Sequence, residues 1–130
     1  MVLDSDGSVW EWGVAVFGTI PGHGNPVLTP VETMASGSGI TQVSAGFDHV
    51  LALRSDGTVL AWGTNDEGQL GNGTTFPSGT VSGPVQVSGL TNATQVAAGG
   101  AFSLAIHQVQ SSCPCLPYNR QPGNVTEAER

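Results

Sequence analysis

An all-β fold built from repeated antiparallel units is predicted by three features of this sequence. Glycine is abundant, with 19 of 130 residues, while only 10% of residues are charged. Apolar residues come in short Val/Leu/Ala runs separated by Gly, Asn, Asp and Ser, the texture of short strands joined by tight turns. One phrase also occurs twice: Leu3-Asp-Ser-Asp-Gly-Ser-Val-Trp-Glu-Trp-Gly13 returns as Leu53-Arg-Ser-Asp-Gly-Thr-Val-Leu-Ala-Trp-Gly63.

The repetition extends further. Ile40-Thr-Gln-Val-Ser-Ala-Gly46 returns as Ala93-Thr-Gln-Val-Ala-Ala-Gly99, Leu51-Ala52-Leu53 as Leu104-Ala105-Ile106, and Pro30-Val31 as Pro84-Val85. The period is about fifty residues, in the range of propeller blades. The predicted fold is therefore a partial β-propeller of four-stranded antiparallel blades, with about two blades' worth of sequence. Residues 1–39 form a partial blade (a hairpin and an outer strand), 40–92 a complete repeat, and 93–110 the first half of another. Residues 111–130 form a polar, disordered tail.

Within the complete unit the predicted strands are Ile40–Ala45, His49–Arg54, Thr58–Trp62 and Pro84–Ser88. Asp56-Gly57 reads as a two-residue type I′ turn with positive φ at both positions, and Asp6-Gly7 repeats it. That turn sets Ser55 opposite Thr58, Leu53 opposite Leu60 and Leu51 opposite Trp62. These residues then share one face, with Ala52, Val59 and Ala61 on the other. A sheet apolar on both faces is sandwiched between layers, which stacked blades provide.

The residues Ala45-Gly46, His49, Leu51-Ala52-Leu53, Asp56-Gly57, Val59, Trp62-Gly63, Asn65, Gly68-Gln69-Leu70-Gly71 and Gly73 stand in an order that resembles the repeat of the regulator of chromosome condensation family. The resemblance covers residues 1–106. It implies a closed propeller, usually of seven four-stranded blades. Its best-known member exchanges guanine nucleotides on a small GTPase, which needs a face assembled from several blades. Two places depart from the pattern: the loop after Gly13 lacks Gly-Gln-Leu-Gly, and no Asp-Gly hairpin follows Ile106. The chain is expected to be part of a larger propeller, or to self-associate by complementing its leading and trailing half-blades, within one chain or between chains.

Composition narrows function. The net charge is −7, with three arginines and no lysine. Nucleic-acid binding relies on clustered Lys and Arg, and so does a polybasic membrane patch. Neither is expected. No apolar run reaches the roughly 18–20 residues that span a bilayer. The opening Met1-Val2-Leu3-Asp4 lacks the basic start and apolar core of a secretory signal. A cytoplasmic location follows if Met1 is the native start, and an extracellular one if the chain is cut from a longer secreted protein.

Few residues invite chemistry. Cys113 and Cys115 flank a proline, a spacing that strains a mutual disulfide, and His107 alone lies near enough in sequence to help hold a metal. No metal or cofactor is expected. Asp4-Ser-Asp6-Gly7 is a hairpin turn, without the twelfth-position acid of a calcium loop. His49 beside Asp48 could be a catalyst. The resemblance implies instead a buried hydrogen-bonding post, and the next copy carries Phe102 in its place. No enzyme activity is expected. The predicted role is a protein–protein interaction scaffold, with a piece of a nucleotide-exchange factor and a propeller-type enzyme inhibitor as alternatives. The binding residues expected are Asp66, Glu67, Phe76 and Pro77, on a long loop of a rigid scaffold.

Overall fold

The computed structural model describes residues 1–14, 26–77 and 80–109. Its strands are β1 (Val2–Leu3), β2 (Val9–Gly13), β3 (Val27–Met34), β4 (Ile40–Ala45), β5 (His49–Arg54), β6 (Val59–Thr64), β7 (Val81–Gln86), β8 (Ala93–Ala98) and β9 (Ser103–His107). They form three antiparallel sheets, β1-β2-β3, β4-β5-β6-β7 and β8-β9. The arrangement is a partial β-propeller, with a four-stranded blade between sheets of three and two strands among the described residues. The expected tail at 111–130, with Cys113 and Cys115, lies outside the described residues.

The central sheet is apolar on both faces, and both are covered. Leu51, Leu53, Val59 and Ala61 pack with Leu70 against Ala93 and Val96 of β8. Val50, Ala52 and Trp62 pack with Ile40 against Val9, Met1 and Leu3 of the first sheet.

These partners correct the expected register. Leu53 pairs with Val59, Leu51 with Ala61, and Val50 with Trp62. The strands are slipped by one residue from the expectation, and a one-residue slip exchanges the two faces. Trp62 therefore lies with Val50 and Ala52, away from Leu51 and Leu53. The cause is the turn. Asp56 Oδ1 accepts both the Thr58 N–H, at 2.9 Å, and the Thr58 hydroxyl, at 2.6 Å. Gly57 has φ +82° while Asp56 does not share a positive φ. The Gly57 N–H returns to the Arg54 carbonyl at 3.0 Å, and the Arg54 N–H to Thr58 O at 2.8 Å. This is a three-residue connection with glycine in the left-handed position, another common hairpin closure.

The fourth strand also differs, running Val81–Gln86 instead of Pro84–Ser88. It is the edge strand of its sheet, so Pro84 can sit inside it with its missing N–H turned outward.

Side chains join the sheets as well. Gln42 on β4 treats β8 as a strand partner: its Nε2 donates to Val96 O at 3.2 Å and its Oε1 accepts the Val96 N–H at 3.0 Å. Ser44 Oγ accepts the Ala98 N–H at 2.9 Å. On the opposite face Trp62 Nε1 points to Glu11 Oε2 at 3.5 Å, while Glu11 Oε1 is buried without a hydrogen-bond partner among the described residues.

Burial pushes the Glu11 carboxyl up from its ordinary 4.5 to about 6, and the Trp62 N–H offsets only part of that. The sign follows directly. A carboxyl raised by folding costs nothing below its unfolded value and penalises the fold once ionised. Stability is thus lost as pH rises through about 4.5 to 6. Glu11→Gln should remove roughly 1–2 kcal/mol of that loss. Urea melts of both proteins at pH 4.5 and pH 7 check it: the variant should gain on the parent at the higher pH.

Candidate functional site

Three loops meet at one end of the central sheet: Gly46–Asp48 before β5, the long connection after β6, and Gly99–Phe102 before β9. Backbone bonds hold them together, Thr64 N–H to Asp48 O at 2.9 Å and Phe47 N–H to Gly100 O at 3.2 Å.

The long connection is organised by Asn65, whose side chain is fully buried. Its Oδ1 accepts the Leu70 N–H at 2.9 Å, and its Nδ2 reaches Thr74 O at 2.7 Å and Asn72 Oδ1 at 3.1 Å. The Asn65 carbonyl accepts the Phe76 N–H at 3.1 Å. Gln69, also buried, donates to Thr64 Oγ1 and Asp66 Oδ1 and accepts the Glu67 N–H. The Gly68-Gln69-Leu70-Gly71 turn thus points inward, Leu70 entering the core. Asp66 and Glu67 are left at the surface.

His49 is buried beneath this loop. Its Nε2 lies 3.0 Å from Ser103 Oγ, which donates its own hydrogen to Gln69 O at 2.6 Å. The serine hydrogen being committed, Nε2–H is the donor to it. Desolvation holds the imidazole below its ordinary value, against the pull of Asp48, and so favours the neutral ring. The seat of the ring is Gly46, where an added Cβ would come within 2.6 Å of His49 Nδ1. Gly99 gives Phe102 the same close seat in the next copy.

Ser103, His49 and Asp48 resemble a hydrolytic triad in composition but not in geometry. Among the described residues, His49 Nδ1 and Asp48 Oδ1 are each buried without a hydrogen-bond partner. No carboxylate orients the ring, and the serine is turned to a backbone carbonyl. Nor do the described residues bring together three or more metal-ligating side chains.

Phe47, Asp66 and Glu67 reach solvent, with Asp48 half-buried beside them. Phe47 is 71% exposed at the tip of its turn. Desolvation raises the Asp48 carboxyl, and nearby Asp66 raises it further, against a smaller opposing effect of His49. Of the residues expected from sequence, Asp66, Glu67 and Pro77 are exposed, while Phe76 is half-buried with its backbone tied to Asn65. Phe47 and Asp48 are additions from the structure. Their signal was an aromatic and an acid in the turn between Gly46 and His49.

Two family models, both described as the Regulator of chromosome condensation (RCC1) repeat, match residues 56–106 and 40–69. Together they span just over half of the sequence. The chain belongs to the RCC1 repeat family. Among curated relatives, human E3 ubiquitin-protein ligase HERC2 is 38% identical over 121 residues, covering 89% of this chain and 2% of HERC2. The ultraviolet-B receptor UVR8 of Arabidopsis thaliana is 38% identical over 101 residues, covering 75% of this chain and 22% of the receptor. Yeast RCC1 (Prp20), solved bound to Kap60, superposes with a TM-score of 0.67 at 24% identity, over 82% of this chain and 27% of that one. A structure of Prp20p from Saccharomyces cerevisiae, described together with its binding to Gsp1p and histones, superposes at 0.65 and 24% identity. These RCC1 likenesses establish the propeller fold. The chain spans a small fraction of each relative.

Proposed function

We propose that this RCC1-repeat segment is a protein-interaction scaffold that presents an acidic, aromatic-tipped edge to a basic protein surface, without catalysis by its own residues. One observation carries the reading: Phe47, Asp66 and Glu67 are exposed on adjoining loops, tied to each other through Thr64 N–H and Asp48 O, whose buried parts are locked by Asn65, Gln69 and His49. A preorganised edge loses little entropy on binding. Aromatic anchors tend to dominate interface energy, and rim acids mainly accelerate encounter with a cationic partner. Phe76 and Pro77 flank this edge. The histone binding described for yeast Prp20p supports a basic partner. His49 and the Gly46, Gly63 and Gly68–Gly71 positions hold the blade in shape.

Core histones are a suitable probe. In surface-binding kinetics, Phe47→Ala should raise the dissociation rate about tenfold or more. Asp66→Lys combined with Glu67→Lys should slow association about tenfold at low salt. Nucleotide release from a small GTPase should be unchanged by the chain. Histone binding that survives both changes would overturn the edge. Accelerated nucleotide release would overturn the non-catalytic role.

A further inference from the structure

We propose that Asn72-Gly73 is a self-modification site, where the folded loop promotes loss of ammonia from the Asn72 side chain and leaves aspartate or isoaspartate at position 72. The chemistry belongs to the loop itself and does not depend on the proposed binding role.

Such a reaction needs a main-chain nitrogen free to attack, an activated side-chain carbonyl, and water. Asn72-Gly73 is the one Asn-Gly pair in the sequence. Lacking a Cβ, glycine lets its nitrogen approach a neighbouring group closely. Gly73 is exposed, and an added Cβ there would meet nothing within 4 Å. Among the described residues its N–H has no hydrogen-bond acceptor. Attacker and water both have room.

The carbonyl is the distinctive part. Asn72 Oδ1 accepts three hydrogen bonds: from Asn65 Nδ2 at 3.1 Å, from the Thr74 N–H at 3.2 Å and from the Thr74 hydroxyl at 2.8 Å. Asn65 is fully buried, and its own Oδ1 holds the Leu70 N–H at 2.9 Å. That bond fixes which end of the Asn65 amide donates. Donors converging on an amide oxygen polarise its carbon and stabilise the oxyanion that forms when a nucleophile adds. Asn72 Oδ1 thus sits in a small oxyanion hole, and the next residue supplies the nucleophile.

The step balances with water alone. The Gly73 nitrogen bonds to Asn72 Cγ as a solvent base takes its proton. The Cγ–Nδ2 bond breaks, and Nδ2 departs as ammonia with a proton from water. Water then opens the resulting succinimide ring at either carbonyl. One opening leaves aspartate, and the other leaves isoaspartate, with the main chain routed through the former side chain. Either product adds a negative charge to a chain already at −7.

The other asparagines among the described residues each lack a requirement. Asn65 is sealed from water, and its Nδ2 is committed to Thr74 O and Asn72 Oδ1. Asn92 is exposed, but the Ala93 N–H that would have to attack is tied to Gly57 O at 2.9 Å.

The two products differ in their effect on the loop. Aspartate keeps an oxygen for Asn65 and Thr74. Isoaspartate lengthens the main chain just before Thr74 O and the Phe76 N–H, both of which bind Asn65. Their register with Asn65 is then lost, and the loop unlocks.

The test is to age the folded chain at neutral pH and follow each asparagine by peptide mass mapping, with an isoaspartate methyltransferase to label that product. Asn72 should convert ahead of Asn65 and Asn92. Thr74→Val removes the hydroxyl donor and keeps the N–H, and it should slow conversion about tenfold. Thr74→Ser should restore the parent rate. In urea, where the loop is undone, parent and Thr74→Val should convert alike. In the isoaspartate fraction the Phe76 amide should exchange faster with deuterated solvent. A folded Thr74→Val protein that converts faster than the parent would overturn the proposal, because the hydrogen bonds would then be a clamp. An Asn72 that stays intact in the folded chain while it converts in urea would overturn it too.

Discussion

Trp62→Ala should lower the unfolding free energy by about 3–5 kcal/mol, the range for deleting a large buried ring. The ring is 1% exposed. It fills the junction between the central sheet and Val9, Met1 and Leu3, so its loss leaves a hole between two sheets. It also takes away the indole N–H that faces Glu11 Oε2, and a buried carboxylate left without its donor adds its own cost. Trp62→Phe separates the two effects, because it keeps most of the volume and loses the N–H. Urea melts should place it between the parent and the alanine variant. A Trp62→Ala protein that melts like the parent would show that the first sheet does not pack on this face.

Gly57→Val should cost about 2–4 kcal/mol, from two sources of strain at one site. The residue has φ +82°, which a β-branched side chain resists. Space is also lacking: an added Cβ would stand 2.8 Å from Asn92 Cα and 3.0 Å from Asn92 N. The Gly57 carbonyl accepts the Ala93 N–H at 2.9 Å, so the turn also fixes the start of β8. Gly73→Ala isolates the backbone term, since it has φ +81° with nothing within 4 Å of an added Cβ. It should cost about 1–2 kcal/mol. Equal melting midpoints for Gly57→Val and Gly73→Ala would mean that the approach of Asn92 is easily relieved.

Much of the fold was legible because the blade repeats its chemistry. β4 and β5 run where the apolar pattern and Asp-Gly punctuation placed them. The register is not legible from the Asp-Gly pair alone, which serves two hairpin closures; Thr58 makes the choice. Its N–H and hydroxyl bind Asp56 Oδ1 and hold the aspartate out of positive φ. The fourth strand starts earlier than the sequence predicts because an edge strand tolerates Pro84 inside it. The loop acids were visible as charges in a long connection. Phe47 is not, because its exposure depends on a tertiary contact, the bond from its N–H to Gly100 O that fixes the turn with the ring outward.

The Gln42 side chain that substitutes for a strand makes the protein its own reporter. The Val96 amide is held by Gln42 and the Ala98 amide by Ser44, so both are shielded by contact between sheets, not by pairing within one. Their exchange with deuterated solvent therefore times the parting of two blades. The Gln108 amide donates across to Asn92 O, so by strand alternation those of Ile106 and Leu104 face β8 too, and they time the fraying of a single sheet. Two clocks in one hairpin can distinguish a blade that detaches whole from one that unravels in place, which is the distinction that sets cooperativity in a protein of stacked units.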